Sequence, residues 1–532
     1  MSAKKLSNLP VWQKLTQQAL IMNRPENHLR NLLRDENRLE RFSSESSGLW
    51  YDFSRQRINE KTLELLIGLA EEREVQQQFR AMVRGEKVNQ TENRAALHTA
   101  LRNFSDDPVF TDGKDVMPDI RKIRHDIRSF VEKVHSGEIK GSTGKPFRHI
   151  IVIGIGGSYH GTEFVSDALH AFADKNIEIN YLSNVDIHNF GKVVSRTDPE
   201  TTLWLVISKS YKTTEVLANV NQAYEFMKEK GLPLEKHLVT VTSKGSPGDD
   251  PSIPKIRAFH MYDFIGGRYS VTSAVGGVPL SLCLGYDRFE RVLKGAEEMD
   301  HHAKDSPPHE NLPLLAALIS IWNNNFLGYE AQAIIPYASP LRKLIPHVQQ
   351  LYMESTGKFV TKEGDLLDVP AGVIIFGEAG TMAQHSFFQL AHQGRPFPID
   401  FIGVISPQYQ EFKCKTNGIT NHQELWANML AQARSLAEGR ENKDDPKKSF
   451  PGNRPSSLIL LKELSPEDIG RLLAFYEAKT VFESFIWGIN PFDQFGVELG
   501  KILAADARSK VKNYPFDSGD DFSLYKKLVR EV

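Results

Sequence analysis

Short runs of consecutive apolar residues punctuate this chain, and they come in two series. The first holds HIIVI at 149–153, TTLWLVI at 201–207 and HLVTV at 237–241; the second holds AIIPY at 333–337, GVIIF at 372–376, FIGVI at 401–405 and SLILL at 457–461. A strand with water on one face alternates apolar and polar positions, whereas a strand buried on both faces does not, so these runs predict parallel strands covered by helices. Segments of helical length separate them, and two α/β sandwiches in tandem is the simplest arrangement that uses every run. The first hundred residues have a different rhythm and read as helical. Asn59 is placed to cap a helix in which Leu63, Leu66, Ile67 and Ala70 recur at three-four spacing, with Glu64, Glu71 and Glu72 off that stripe. Ser465-Pro466-Glu467 predicts another helix start, with proline at the first helical position. The charged stretch EGRENKDDPKKSFPGNRP at 438–455 predicts an exposed loop, a solvated surface more often than a basic patch.

A length of 532 residues fits roughly two to four domains. The net charge of −2 gives no global basic field for nucleic acid, so any anionic ligand must be held by a local cluster of donors. Cys283 and Cys414 alone encode neither a disulfide framework nor a Cys-based zinc site, and a reducing cytoplasm suits that usage. No apolar run approaches a membrane span, and MSAKKLSNLPVWQKL lacks the apolar stretch of a signal peptide. A cytoplasmic protein without membrane or nucleic-acid partners is expected.

Candidate chemistry sits where the apolar runs end. IVIGIGGSYHG at 151–161 sets glycines at 154, 156, 157 and 161 after a buried strand, where backbone can approach a ligand and the next helix N-terminus favours an anion. Tyr159 stands where a dinucleotide fingerprint needs glycine, and the Gly-Lys-Ser/Thr close of a P-loop is missing, so a plain tight turn also fits. SKSYKTTE at 208–215 groups Ser208, Ser210, Thr213 and Thr214 around Lys209, chemistry suited to a small phosphate monoester and equally to a helix cap. In DFIGGRYSVTSAVGG at 263–277, Gly266 and Gly267 clear space beside Arg268, which can stabilise an oxyanion or pair structurally with an acid. LYMESTGK at 351–358 sets Glu354 beside apolar Met353 and after Gln349 and Gln350, a setting for a general base as well as for an ordinary exposed glutamate. GEAGTMAQHSFFQLAHQG at 377–394 spaces His385 and His392 seven apart, which fits acid/base work at one histidine better than metal ligation. FDQFGVELGK at 492–501 brings Gln494 and Lys501 near one end of any helix that opens at 497–501.

Together with YDFSRQRI at 51–58, TENRAALHTALR at 91–102, SGEIKGSTGK at 136–145 and GNRPS at 452–456, these blocks resemble the glucose-6-phosphate isomerase (phosphoglucose isomerase) family in order and spacing along nearly the whole chain. The resemblance implies two tandem sugar-isomerase-type α/β/α sandwich domains with parallel sheets, a smaller one at 113–288 and a larger one at 289–500. A mostly helical N-terminal region at 1–112 and a C-terminal helical arm at 501–532 would support a homodimer. The implied reaction interconverts glucose 6-phosphate and fructose 6-phosphate through ring opening and a cis-enediol, with no metal or organic cofactor. Carried over by position, Ser208, Lys209, Ser210 and Thr213 would hold the phosphate, with Gly157 and Ser158 beside the sugar. Glu354 would be the base shuttling a proton between C1 and C2, and Arg268 would stabilise the enediolate. Gln350 and Gln494 would bind sugar hydroxyls, while Lys501 and His385 would assist ring opening, His385 reaching in from the other subunit. The chain departs from the family pattern at Met382-Ala383, where Asn-Gly is usual, at Thr356, where asparagine is usual, and at Ser210-Tyr211-Lys212, which replaces Thr-Phe-Thr. The alternative is a non-catalytic phosphosugar-binding regulator on the same domains, which needs the phosphate loop but not Glu354, Arg268, His385 and Lys501 together.

Overall fold

Residues 5–174 and 176–512 are described by the computed structural model, and the chain divides into two units, Met1–Pro491 and Phe492–Val532. The first unit contains β1 (Ser43–Ser46), β2 (Leu49–Asp52), β3 (His149–Ile153), β4 (Glu178–Leu182), β5 (Thr202–Ile207), β6 (Leu238–Ser243), β7 (Arg257–Met261), β8 (Ala331–Pro336), β9 (Ile374–Gly377), β10 (Ile399–Ser406) and β11 (Ser456–Glu463). One sheet has the order β4-β3-β5-β6-β7, with every pairing parallel. The other has the order β1-β2-β11-β10-β8-β9, parallel from β11 to β9 and antiparallel at β1 and β2.

Burial explains why the apolar runs became these strands. All six residues of β5 are buried. Ile151, Ile153, Trp204 and Val206 share one sheet face and pack with Val216, Val220, Ala223 and Met227 of the Thr214–Glu229 helix. In the second sheet Ala333, Ile335, Ile399 and Phe401 pack with Met429, Ala433 and Leu436 of the Asn421–Glu438 helix. The mainly parallel α/β architecture expected from sequence is therefore present twice.

The N-terminal hundred residues are not wholly helical. Strand β2 lies antiparallel to β11, matching Leu49 with Leu461 and Tyr51 with Ile459, and β1 folds back onto it. Asn59 does cap the Glu60–Glu72 helix, accepting the Thr62 N–H at 2.9 Å. The buried stripe is turned by one position, however: Leu65, Leu66, Leu69 and Ala70 face the core, with Leu63 and Ile67 only partly covered. Stretch 438–455 is exposed mainly over 440–451 and pinched by a bridge between Arg440 and Phe450, while Gly452, Arg454 and Pro455 are buried.

The Pro466–Trp487 helix starts as expected, with the Ser465 hydroxyl accepting the Asp468 N–H at 3.2 Å. It is almost entirely buried against the Tyr286–Asp305 and Leu312–Ile321 helices. Charges inside such a core need partners. Arg102, fully buried, donates to both oxygens of Asp300 at 2.6 and 2.7 Å and to Glu477. No helix among the described residues is long and apolar enough to cross a membrane. In the second unit a turn at Phe495–Val497 leads into the Glu498–Lys512 helix. The remainder of the expected arm, 513–532, lies outside the described residues.

Candidate active site

The Leu344–Thr356 helix buries Leu344, Val348, Leu351, Tyr352 and Ser355, which leaves Gln350 and Glu354 one turn apart on a half-buried face. Gln350 donates from Nε2 to Glu354 Oε1 at 3.2 Å. Arg268 comes from the short Gly267–Tyr269 turn, and its side chain is fully buried. Its Nη1 lies 3.3 Å from Glu354 Oε2, its Nε donates to Ser355 Oγ at 2.7 Å and its Nη2 donates to the Pro491 carbonyl. A guanidinium has no acceptor and does not deprotonate, so bonds of this kind both compensate its buried charge and hold its plane. The Glu354 side chain stays 29% exposed, open on the side its partners do not cover.

The glycine loop meets the arginine loop directly. A Cβ on Gly157 would sit 2.2 Å from the Gly267 carbonyl carbon, so only glycine permits this approach. Gly156, at φ +58°, faces Gln350, and the Ser270 hydroxyl donates to the Gly157 carbonyl at 3.2 Å. Ser158 closes the same turn and is half-buried. Gly157, Arg268, Gln350 and Glu354 thus converge on one locality.

Lys209 is tied to the loop that carries Arg268, its ammonium donating to the carbonyls of Asp263 at 3.0 Å and Ile265 at 3.2 Å. Burial pulls its pKa below the ordinary lysine value, and nearby Asp263 opposes that. Ser208 is buried and accepts the Tyr211 N–H, while Ser210 is exposed and accepts the Lys212 N–H, both at 3.2 Å. Tyr211, one of the departures, holds φ +51° and packs its ring on Gly248. Thr213 is the N-cap residue of the Thr214–Glu229 helix, without a side-chain cap bond.

The other expected site residues lie on other elements. His385 is exposed at the end of the Gly380–Gln384 helix, where Ala383 is buried in the core and Met382 is 51% exposed. His392 is a packing histidine, its Nε2 2.8 Å from Gln432 Oε1. Thr356 is buried, bonds the Tyr352 carbonyl at 2.8 Å and lies against Gly372, so its departure from the family pattern is absorbed by local packing. Gln494 and Lys501 belong to the second unit, Gln494 preceding the Phe495–Val497 turn and Lys501 in the first turn of the Glu498–Lys512 helix, both exposed. Ser355 and the Pro491 carbonyl, which hold Arg268, were not singled out by sequence. Adjacency to Glu354 is the only signal that marks Ser355.

Comparison with known proteins bears on the family and the fold. The family model for phosphoglucose isomerase matches residues 52–524. The chain is 60% identical over 534 residues to the glucose-6-phosphate isomerase of Desulfosudis oleivorans (strain DSM 6200 / JCM 39069 / Hxd3), covering 100% of this chain and 98% of that protein. It is 42% identical to the cytosolic glucose-6-phosphate isomerase of Arabidopsis thaliana, covering 91% and 89% respectively. The crystal structure of a glucose-6-phosphate isomerase from Chlamydia trachomatis D/UW-3/Cx superposes with a TM-score of 0.89 at 37% identity, over 96% of this chain and 98% of that one. Sequence matches spanning both sheets, and a shared fold at this level, have one reading: the chain belongs to the phosphoglucose isomerase family.

Proposed function

We propose that this protein is a glucose-6-phosphate isomerase, interconverting glucose 6-phosphate and fructose 6-phosphate. The observation that carries the reading is the contact between Glu354 and the buried Arg268 guanidinium, a base and an unlosable positive charge 3.3 Å apart beside a glycine loop. Glu354 takes the C2 proton of the open-chain aldose and returns it to C1, while O1 gains a proton and O2 loses one, so the aldehyde becomes the primary alcohol and C2 the ketone. The oxidation at C2 balances the reduction at C1 within the substrate, and the chemistry needs no external electron carrier. Arg268 stabilises the charge on the cis-enediolate between the two transfers.

The Lys209 ammonium, held under its ordinary pKa by burial, gains a counter-charge when a phosphate binds. Ser208, Ser210 and Thr213 supply hydroxyls around it, Gly157 and Ser158 line the sugar, and Gln350 and Gln494 take its hydroxyls. Lys501 and His385 open the ring, His385 from the second subunit of a homodimer. We assign the smaller sugar-isomerase domain to 113–288 and the larger to 289–500, because the five-stranded sheet falls wholly in the first and the core strands of the other fall in the second. A cytoplasmic location fits the reducing chemistry of two unpaired cysteines, Cys283 and Cys414. A phosphosugar-binding regulator would have no use for a carboxylate aimed at a fixed guanidinium. The test is turnover of fructose 6-phosphate by purified protein, read by coupling the glucose 6-phosphate formed to a dehydrogenase; binding without turnover would favour the regulator.

A further inference from the structure

Arg268 Nη1 reaches Glu354, and one of the bonds that orients the guanidinium comes from the residue after the base. Ser355 is fully buried, accepts from Arg268 Nε at 2.7 Å and shares a hydrogen bond with the Tyr269 hydroxyl at 3.1 Å. Tyr269 is itself the residue after Arg268, buried, and stacked on His98 with ring centroids 4.7 Å apart. Two consecutive pairs, Arg268-Tyr269 and Glu354-Ser355, therefore lock onto each other, Arg268 bonding both Glu354 and Ser355 and Tyr269 bonding Ser355. On a helix, successive residues diverge by about 100°, so one turn can deliver the carboxylate to the open face and the hydroxyl to the buried one.

We propose that Ser355 is a positioning residue that sets the plane of the Arg268 guanidinium relative to Glu354, with Tyr269 fixing the Ser355 hydroxyl. Because Nε lies at the root of the guanidinium, losing its acceptor removes one support of a plane that Glu354 and the Pro491 carbonyl also hold, and lets Nη1 tilt from the place where enediolate charge develops. The effect falls on the transition state rather than on substrate binding, since phosphate and sugar hydroxyls are held elsewhere. This inference rests on the isomerase reading given above.

The experiment uses full-length Ser355→Ala and Tyr269→Phe beside wild type and Glu354→Gln. Ser355→Ala should lose roughly 10- to 100-fold in kcat, the scale of a hydrogen bond to a charged group, with KM for fructose 6-phosphate within about twofold. Tyr269→Phe, which keeps the ring on His98, should lose less in the same direction. A five-carbon sugar-phosphate hydroxamate, whose planar anionic head imitates the enediolate, should bind Ser355→Ala more weakly by the same factor as kcat, while the reduced hexitol 6-phosphate binds unchanged. A purely structural role would weaken both ligands alike or raise KM, and either result overturns the proposal. Full activity of Ser355→Ala beside an inactive Glu354→Gln overturns the positioning role alone. Full activity of Glu354→Gln overturns the isomerase assignment of the base and this inference with it.

Discussion

Replacing Gly157 with alanine tests the site at its tightest backbone contact. The added Cβ would lie 2.2 Å from the Gly267 carbonyl carbon, 2.3 Å from its oxygen and 2.6 Å from its Cα, whereas ordinary contacts begin at 3.4 Å. No side chain is present to rotate away, so the two backbones must part by about 1 Å, and a displacement of that size between reacting groups can cost about 100-fold in rate. Gly267 immediately precedes Arg268, so the shift passes into the guanidinium. The reciprocal variant is the internal control: a Cβ on Gly267 meets only the Gly157 Cα, at 3.6 Å, an ordinary contact. The assay is kcat/KM for fructose 6-phosphate, with circular dichroism to show that both variants are folded. Gly157→Ala should lose about two orders of magnitude and Gly267→Ala far less. Equal losses, or an active Gly157→Ala, would refute the claim that this contact sets the loop geometry.

Three further outcomes follow from the buried charges and the loops. Burial pushes the Glu477 carboxyl up although Arg102 pulls it down, and the unfolded group ionises near 4.5, so its stabilising contribution is full below that value and is lost as pH rises through its raised folded value. Glu477→Gln should therefore flatten the decline in unfolding free energy as pH rises from the acid range, measured by urea titration, and an unchanged decline contradicts the burial argument. Lys209→Ala with Ser208→Ala should raise KM strongly, and sulfate should compete with substrate in wild type but little in the double variant; an unchanged KM removes the phosphate role from this loop. Mixing His385→Ala with Glu354→Gln chains should restore about a quarter of wild-type sites if the site is shared across a two-fold dimer, and no recovery after verified subunit exchange places each site within one chain.

The central strands were legible because burial on both faces leaves a local mark. Strands β3 and β5 are apolar almost throughout, and their limits agree with the sequence runs to within one residue. The edge strands β4 and β7 were not legible, since Glu178, Asn180, Arg257 and His260 interrupt them as an exposed edge permits. Nor was the β1–β2 hairpin, whose Leu49–Asp52 strand is stabilised by pairing with Leu458–Leu461, some four hundred positions away in sequence. The one-position turn of the Glu60–Glu72 stripe has a similar cause: periodicity fixes the helix, but the neighbours it packs on choose the face. At the site, Arg268 and Glu354 carried side-chain chemistry that sequence blocks expose. The clamp around Arg268 did not, because a serine hydroxyl and the Pro491 carbonyl are commonplace until the fold brings them to the guanidinium.

The central claim is that Glu354 moves the proton between C1 and C2. Glu354→Gln keeps the size of the side chain and its contact with Gln350 while removing the basic oxygen, so the chemical step should slow by roughly 10² to 10⁴. The direct measurement is exchange of the substrate's C2 hydrogen with solvent in deuterated water, followed by NMR at equal occupancy of wild type and variant. Wild type should incorporate deuterium through the enediol, and Glu354→Gln should incorporate almost none while still binding fructose 6-phosphate. Exchange by the variant at the wild-type rate would assign the proton transfer to another residue and contradict the account.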